Sequence, residues 1–461
     1  MNETLVWLRD DLRMADNPAL NAAAERGDPV TLLYVLDEVS TGVRPLGAAS
    51  KWWLHHSLQS LSSDLKKLGL NIVFRRGSAL AVVPEVVREL GADAVYWNRR
   101  YGLAERDIDT QLKTELREQS IEVQSFRAGL LIEPWTISTG AGKPYTVFTP
   151  YYKATLQRPE PRAPFPVPLG LSRSTITPPS DDIDRWSLLP TSPDWAGGLR
   201  DHWQPGEAGA IAQLNEFIEE RVDEYAAGRD FPALHKTSEL APHLRFGEIS
   251  PFQVWHEANS AAVANPEIRQ GVQSFLRELA WREFSYNLLF HWPDLSTQNF
   301  NRKFDTFPWW NKANSPEFEA WKHGKTGIPL VDAGMRELWH TGTMHNRVRM
   351  VVASFLTKNL RIDWRLGEQW FWDTLVDADP ANNPASWQWV AGCGADAAPY
   401  FRVFNPELQA KKFDPDGEYI RRWVPEAVEP DGSFAQHDSY KPIVDLKLSR
   451  DQALTAYDAI K

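Results

Sequence analysis

Strand signals crowd the first 130 residues of this chain and nearly vanish after residue 208, a change that limits its fold more than any other feature. Runs at 5–8, 30–36, 71–74, 94–97 and 121–126 read as short strands, and the first, second and fourth are apolar enough to be buried on both faces. Helices are expected between them. Asn17 followed by Pro18 reads as a cap and first-turn proline of a helix closed by Gly27, and the segments 50–68 and 79–90 stop at Gly69 and Gly91. Alternating strand and helix implies an α/β domain with a parallel, doubly wound, Rossmann-like sheet. No G-x-G-x-x-G follows the first strand, which argues against an ordinary nicotinamide site. The stretch 159–193, with Pro159, Pro161, Pro164, Pro166, Pro168, Pro178 and Pro179, reads as a linker wrapped on a surface. Helical patterns then follow one another at 209–226, 250–263, 266–291, 315–323, 329–341, 344–359 and 366–376. The expected division is an α/β domain over 1–130, an interdomain linker over 131–207 and an all-α domain over 208–461.

Bulk properties narrow the field. The chain has 461 residues, enough for two or three domains, and its 43% hydrophobic content is adequate for globular cores. No apolar run reaches the roughly 18 to 20 residues of a membrane span. The start, MNETLVWLRDDLR, reads as a strand entering a charged loop and not as a secretory signal. A lone cysteine, Cys393, excludes an intrachain disulfide and any Cys-rich metal site, so a cytoplasmic protein is expected, and no metal. The net charge of −11 argues against coating nucleic acid over the whole surface but leaves room for a local basic groove.

Chemistry concentrates in a few places. The run from residue 377 to 406, DADPANNPASWQWVAGCGADAAPYFRVFNP, packs Trp387, Trp389, Tyr400, Phe401 and Phe404 among carboxylates and amides with almost no aliphatic residues. A buried helix would repeat Leu, Ile and Val, and a solvated loop would not gather aromatics, so something flat is expected to be held here. On the helix 266–291, Glu278, Trp281, Arg282 and Ser285 share one face. A solvated Glu–Arg pair is the plain alternative, but an indole between the two suits a floor for a stacked base. Asn346, Arg347 and Met350 make a similar group on 344–359. Thr237 and Ser238 open a segment where hydroxyls and backbone N–H groups could receive a phosphate, although a simple helix cap explains the pattern as well. There is no H-E-x-x-H, no G-x-S-x-G and no P-loop.

In order along the chain, VWLRDDLRMADNPAL, SKWWLHHSL, RDFPALHKTSELAPHLRFGEISP, ELAWREF, AWKHGKTGIPLVDAGMREL, TGTMHNRVRM, NLRIDW and the run 377–406 resemble the DNA photolyase and cryptochrome family. The resemblance spans nearly the whole chain and is nearest to bacterial cyclobutane pyrimidine dimer photolyases that neighbour the plant cryptochromes. It implies FAD in the helical domain, with Tyr225, Thr237, Ser238, Glu239, Leu240, Ala241, Arg349, Asp377, Ala378, Asp379 and Asn383 around it. Ala241 departs from a serine common among relatives. Asp377 is expected to pair with Arg349, and Asn383 to face flavin N5, where an amide favours the fully reduced state. Light-driven repair of pyrimidine dimers in DNA is the implied activity. Trp281, Trp389 and Met350 would pack on the dimer, Glu278 and Asn346 would bond its carbonyls, and Arg229, Arg282, Ser285, Arg347 and Gln409 would line the DNA groove. Asn346 stands where (6-4) photolyases carry a histidine, which favours cyclobutane dimers. Trp387, Trp364 and Trp309 or Trp310 match the tryptophan chain that re-reduces the flavin. Glu105 fits an acid that contacts a folate antenna, 5,10-methenyltetrahydrofolate, though Ala104 replaces the usual neighbouring asparagine. A monomer is expected. The alternative is a signalling cryptochrome, for which a long C-terminal tail or an altered residue at 383 is expected.

Overall fold

The computed structural model describes residues 2–311, 313–397, 401–427 and 440–461, so Tyr400 of the aromatic run lies outside the described residues. Five strands, β1 (Thr4–Leu8), β2 (Val30–Leu36), β3 (Ile72–Arg76), β4 (Ala94–Asn98) and β5 (Glu122–Phe126), form one sheet in the order β3-β2-β1-β4-β5. Every pairing is parallel. The three inner strands are buried at every position, whereas β3 and β5 lie at the edges and are exposed in part. Unbroken apolar runs fit the middle of the sheet because helices cover both of its faces there. Trp52, Trp53 and Leu58 of the helix Ala48–Lys67 pack with Val6 and Leu32 on one face; Val83, Val86 and Leu112 of the helices Ala79–Leu90 and Leu103–Glu118 pack with Leu5, Trp7 and Val95 on the other. The domain is doubly wound. Asn17 caps the helix Pro18–Arg26 as expected, its side chain accepting from the Leu20 N–H at 3.2 Å.

The proline-rich stretch 159–193 contains a single short 3-10 turn, Ile183–Trp186, yet the segment 131–207 is more than a linker. It also supplies the helix Phe148–Thr155, which packs on the helical domain through Tyr151 and Phe284. From residue 207 onward the described residues form helices around a core that includes Trp321, Val348, Val352, Trp364, Phe371 and Trp387.

Two boundaries differ from the sequence reading. The expected helix 209–226 is Glu207–Glu220 followed by a separate turn, Tyr225–Gly228, and 344–359 divides into Asn346–Ser354 and a π-helical turn, Phe355–Asn359. The run 377–406 conceals a helix, Asn382–Ala391, whose buried positions include Asn383, Pro384, Trp387 and Gln388 in place of aliphatic residues. The helices Pro406–Phe413, Glu418–Trp423 and Leu446–Asp458 were not anticipated at all. No helix among the described residues is long and apolar enough to cross a membrane.

Candidate functional site

The helices Arg269–His291, Asn346–Ser354 and Asn382–Ala391 converge with residues 238–245 and 377–379 on a cavity of about 330 Å³. That volume lies in the range of ligand sites. Of the residues marked out in the sequence, Tyr225, Ser238, Leu240, Ala241, Arg349, Asp377, Ala378, Asp379, Asn383 and Trp387 line it. So do Glu278, Trp281, Arg282, Asn346 and Met350. Residues that lie far apart in sequence therefore share one chamber.

Several polar wall residues are held by specific partners. Arg349 and Asp377 form a two-point ion pair at 3.2 and 2.9 Å, and the guanidinium also donates to the Met344 carbonyl and the Thr343 hydroxyl. Asp379 accepts from the Ala381 and Asn382 N–H groups and from the Tyr286 hydroxyl, each at 2.7 Å, which fixes the turn that opens the helix Asn382–Ala391. Asn383 donates both amide hydrogens to Glu368, at 2.8 Å to the carboxylate and 3.1 Å to the backbone carbonyl. The Trp387 ring packs edge-on against Phe371 at 4.9 Å, and its buried indole N–H has no partner among the described residues. Gly367 allows that packing, because a Cβ there would lie 2.2 Å from Trp387 Cη2. Leu279, Leu375 and Val390 complete an apolar part of the wall. A chamber that combines aromatic and aliphatic walls with buried acids, amides and guanidinium groups suits a flat polar cofactor such as FAD.

At the other side of the cavity, Glu278 pairs with Arg229 at 2.5 Å. Trp281 stacks face to face on Phe148, with centroids 3.7 Å apart and planes 8° from parallel. One face of the indole is therefore occupied by protein. Arg282 donates to the Gly129 carbonyl at 2.9 Å and lies 5.0 Å from the Tyr286 ring centroid, at the seam with the α/β domain. Met350 lies 3.8 Å, through its sulfur, from Arg347, which pairs with Asp230 at 2.8 Å and covers the Phe413 ring. Burial pushes the carboxyl of neighbouring Glu283 up to about 7, although it accepts from the Ile132 N–H and lies 3.4 Å from Arg282.

Other marked residues lie off this wall. The Thr237 carbonyl accepts from Arg221, and Glu239 turns toward His202 and Arg221, at 3.6 and 3.8 Å. Ser285 is buried and returns its hydroxyl to the Trp281 carbonyl within the same helix, so it presents nothing to a groove. Trp389 lies two residues from Trp387 on one helix, and positions two apart do not share a face. Its indole donates to the Asp396 carbonyl at 3.2 Å, and it borders a separate small cleft with Lys358, Arg402 and Phe404. That cleft shares Val390 with the main cavity. Gln409 is half-buried, and its Oε1 has no partner among the described residues.

Trp364 is fully buried and donates to Asn299 at 2.9 Å; Trp309 is half-buried and donates to the Thr357 carbonyl, and Trp310 is 42% exposed. The ring neighbours of Trp387 are Phe371 and Trp321, not Trp364.

Glu105 borders two smaller clefts in the seam between the domains, both of which also include Asp10, Arg100, Arg245 and Pro380. They open beyond the carboxyl ends of β1 and β4, where the strand order reverses, which is the usual ligand position in an open α/β sheet. Arg245 lines these clefts and the main cavity, forms an ion pair with Asp10 at 3.0 Å, donates to the Ala378 carbonyl at 2.9 Å, and was not singled out in the sequence. Phe148 was missed too. Arg245 falls inside a quoted motif, but no residue near Phe148 signals its role. Among the described residues no cluster of His, Cys, Asp and Glu could hold a metal ion.

A doubly wound α/β domain joined to a helical domain with a chamber for a flat cofactor defines a two-domain flavoprotein. Residues 4–169 match the family model for DNA photolyase, and residues 275–459 match that for the FAD-binding domain of DNA photolyase. The chain is 49% identical to a deoxyribodipyrimidine photo-lyase of Agrobacterium fabrum, over 99% of this chain and 98% of that protein. It is 37% identical to cryptochrome-2 of Arabidopsis thaliana, over 99% of this chain and 76% of the relative. Among solved structures, a bacterial class III photolyase from Agrobacterium tumefaciens superposes with a TM-score of 0.93 at 47% identity, covering 100% of this chain and 98% of the other. The chain belongs to the DNA photolyase family.

Proposed function

We propose that this protein is a deoxyribodipyrimidine photolyase that repairs cyclobutane pyrimidine dimers in DNA under light. The observation that carries the reading is the single cavity on which Arg349, Asp377 and Asn383 meet Glu278, Trp281, Asn346 and Met350. When bound, reduced FAD supplies the light-excited electron that splits the dimer. The protein supplies position and shielding. Arg349 and Asp377 would hold the polar part of the cofactor, and Asn383 would offer its amide oxygen at the N5 edge. Trp281, braced from behind by Phe148, presents its free side to a base turned out of the duplex. Turning the lesion out costs little because a dimer already stacks and pairs badly. Glu278 and Asn346 bond the dimer carbonyls, and the bond from Glu278 strengthens as negative charge develops there. Arg229 pairs with Glu278 and serves the DNA groove together with Arg347 and Gln409.

Trp387, which lines the cavity, would be the immediate electron donor to bound flavin during photoreduction, with Trp364 and Trp309 or Trp310 leading outward. A second chromophore, 5,10-methenyltetrahydrofolate, would be held at the seam near Glu105 and would pass absorbed light energy to the flavin. The functional division into an antenna domain over 1–130, a connecting segment over 131–207 that includes the helix Phe148–Thr155, and a catalytic domain over 208–461 is part of this reading, as is a monomer working in the cytoplasm. The test is an electrophoretic binding assay with the flavin-loaded protein. DNA carrying one thymine dimer should be retained well below the concentration needed for undamaged DNA, and blue light should release it. Equal retention of both, unaffected by light, would favour the signalling alternative.

A further inference from the structure

The loop between β2 and the helix Ala48–Lys67 sends Arg44 across the seam to the back of the cavity wall. Its two terminal nitrogens grip the Glu368 carboxylate at 2.7 and 2.9 Å. Glu368 is 1% exposed, and it receives both amide hydrogens of Asn383. With those hydrogens committed, the amide oxygen is the polar atom that Asn383 has left for the cavity it lines. The loop is clamped. The Trp372 indole donates to the Pro45 carbonyl at 2.9 Å, Asp373 accepts from the Ala48 N–H at 2.9 Å, and the Arg44 guanidinium covers the Trp372 ring at 4.0 Å. Gly47 is required at the closest approach, because a Cβ there would lie 2.0 Å from the Trp372 carbonyl oxygen.

We propose that Arg44, a residue of the α/β domain, is a positioning residue for the flavin: it keeps Glu368 a charged, acceptor-only partner and so holds the Asn383 oxygen toward the cofactor. The inference rests on the assignment of Asn383 to the N5 edge. A buried carboxylate without its cation is strongly disfavoured and takes up a proton or admits water. Protonated, Glu368 becomes a donor and no longer draws the Asn383 hydrogens to its side chain. Reduced flavin carries a hydrogen on N5 and oxidised flavin does not, so an acceptor held there favours the reduced form. Arg44 thereby biases the cofactor without touching it.

The test is the midpoint potential of bound FAD, measured by anaerobic titration of purified, flavin-loaded protein. Arg44→Met keeps the aliphatic cover on Trp372 but removes the charge. Its potential should fall by the equivalent of a tenfold loss of preference for reduced over oxidised flavin, about 30 mV for the two-electron couple. Adding Glu368→Gln to Arg44→Met should return the potential most of the way, because a neutral amide accepts from Asn383 without needing a cation. A merely structural role for Arg44 predicts no such rescue. Glu368→Leu keeps Arg44 but removes the acceptor and should lower the potential in the same way, which decides the matter if Arg44→Met does not fold. An unchanged potential in either single variant, or a double variant as low as Arg44→Met, overturns the proposal. Asn383→Ala separates the two layers of the argument: no change there refutes the N5 assignment itself, whereas a fall there with none in Arg44→Met refutes only the role of Arg44.

Discussion

Phe148→Leu tests whether a dimer-binding platform is held from behind. Phe148 is 1% exposed, stacks on Trp281 at 3.7 Å, and lies nearly parallel to Tyr152 at 5.6 Å. Leucine nearly conserves the volume, a kind of change that costs under about 1.5 kcal/mol. The lost aromatic pairing adds about 0.5 to 1.5 kcal/mol. A stability loss of about 0.5 to 3 kcal/mol is therefore expected from urea unfolding, which the fold should survive. Without its flat backing Trp281 gains freedom to tilt. Complete loss of a stacking platform costs about 1 to 3 kcal/mol, so a loosened one should cost about 1 kcal/mol, roughly a fivefold weaker affinity for DNA with a dimer. Fluorescence anisotropy with labelled damaged and undamaged duplexes gives both affinities, and only the damaged one should change. A variant that loses stability but binds damaged DNA as tightly as the parent refutes the idea that Phe148 sets the Trp281 plane.

Further outcomes are expected elsewhere in the site. Trp387→Phe should retain FAD yet nearly abolish photoreduction of oxidised flavin by an external thiol, while enzyme reduced chemically beforehand should still repair; survival of photoreduction means that electrons enter by a route that avoids Trp387. Glu278→Ala should lower repair yield more than binding, read from quantum yield and anisotropy, and equal losses would remove its role at the developing charge. Arg229→Ala should flatten the slope of log K against log salt by about 0.7 to 0.9, the contribution of one phosphate contact, and an unchanged slope would leave Arg229 only the pairing with Glu278. Glu283 is raised by burial from 4.5 to about 7, so the folded state holds its proton more tightly than the unfolded chain. The parent should therefore lose stability relative to Glu283→Gln as pH rises from about 4.5 through about 7, by on the order of 3 kcal/mol, and parallel stability profiles for the two would contradict this.

The sheet was legible because β1, β2 and β4 carry apolar runs that only a doubly covered strand tolerates. The helix Asn382–Ala391 was not, since the cavity and the core share its positions and leave no aliphatic stripe to count. Resemblance supplied the cavity residues that periodicity could not, among them Arg349, Asp377 and Asn383. It had less to say about packing. Nothing in the sequence around Phe148 shows that it lies under Trp281, and Arg44 lies 324 residues from the Glu368 it holds. Ser285 keeps its hydroxyl within its own helix for a local reason: helical serines readily bond the carbonyl four residues back, as this one does. Trp389 shows the same limit, because proximity to Trp387 in sequence becomes separation on a helix.

The central claim is that the cavity holds a flavin and a dimer together so that light drives repair. Thymine-dimer content of a synthetic oligonucleotide, measured by chromatography after incubation with the reduced, flavin-loaded protein, tests it most directly. Dimers should disappear with restoration of the parent thymines under blue or near-UV light and persist in the dark, and Glu278→Ala should slow the loss. Binding of damaged DNA with full FAD occupancy and no dimer loss under light would contradict the account.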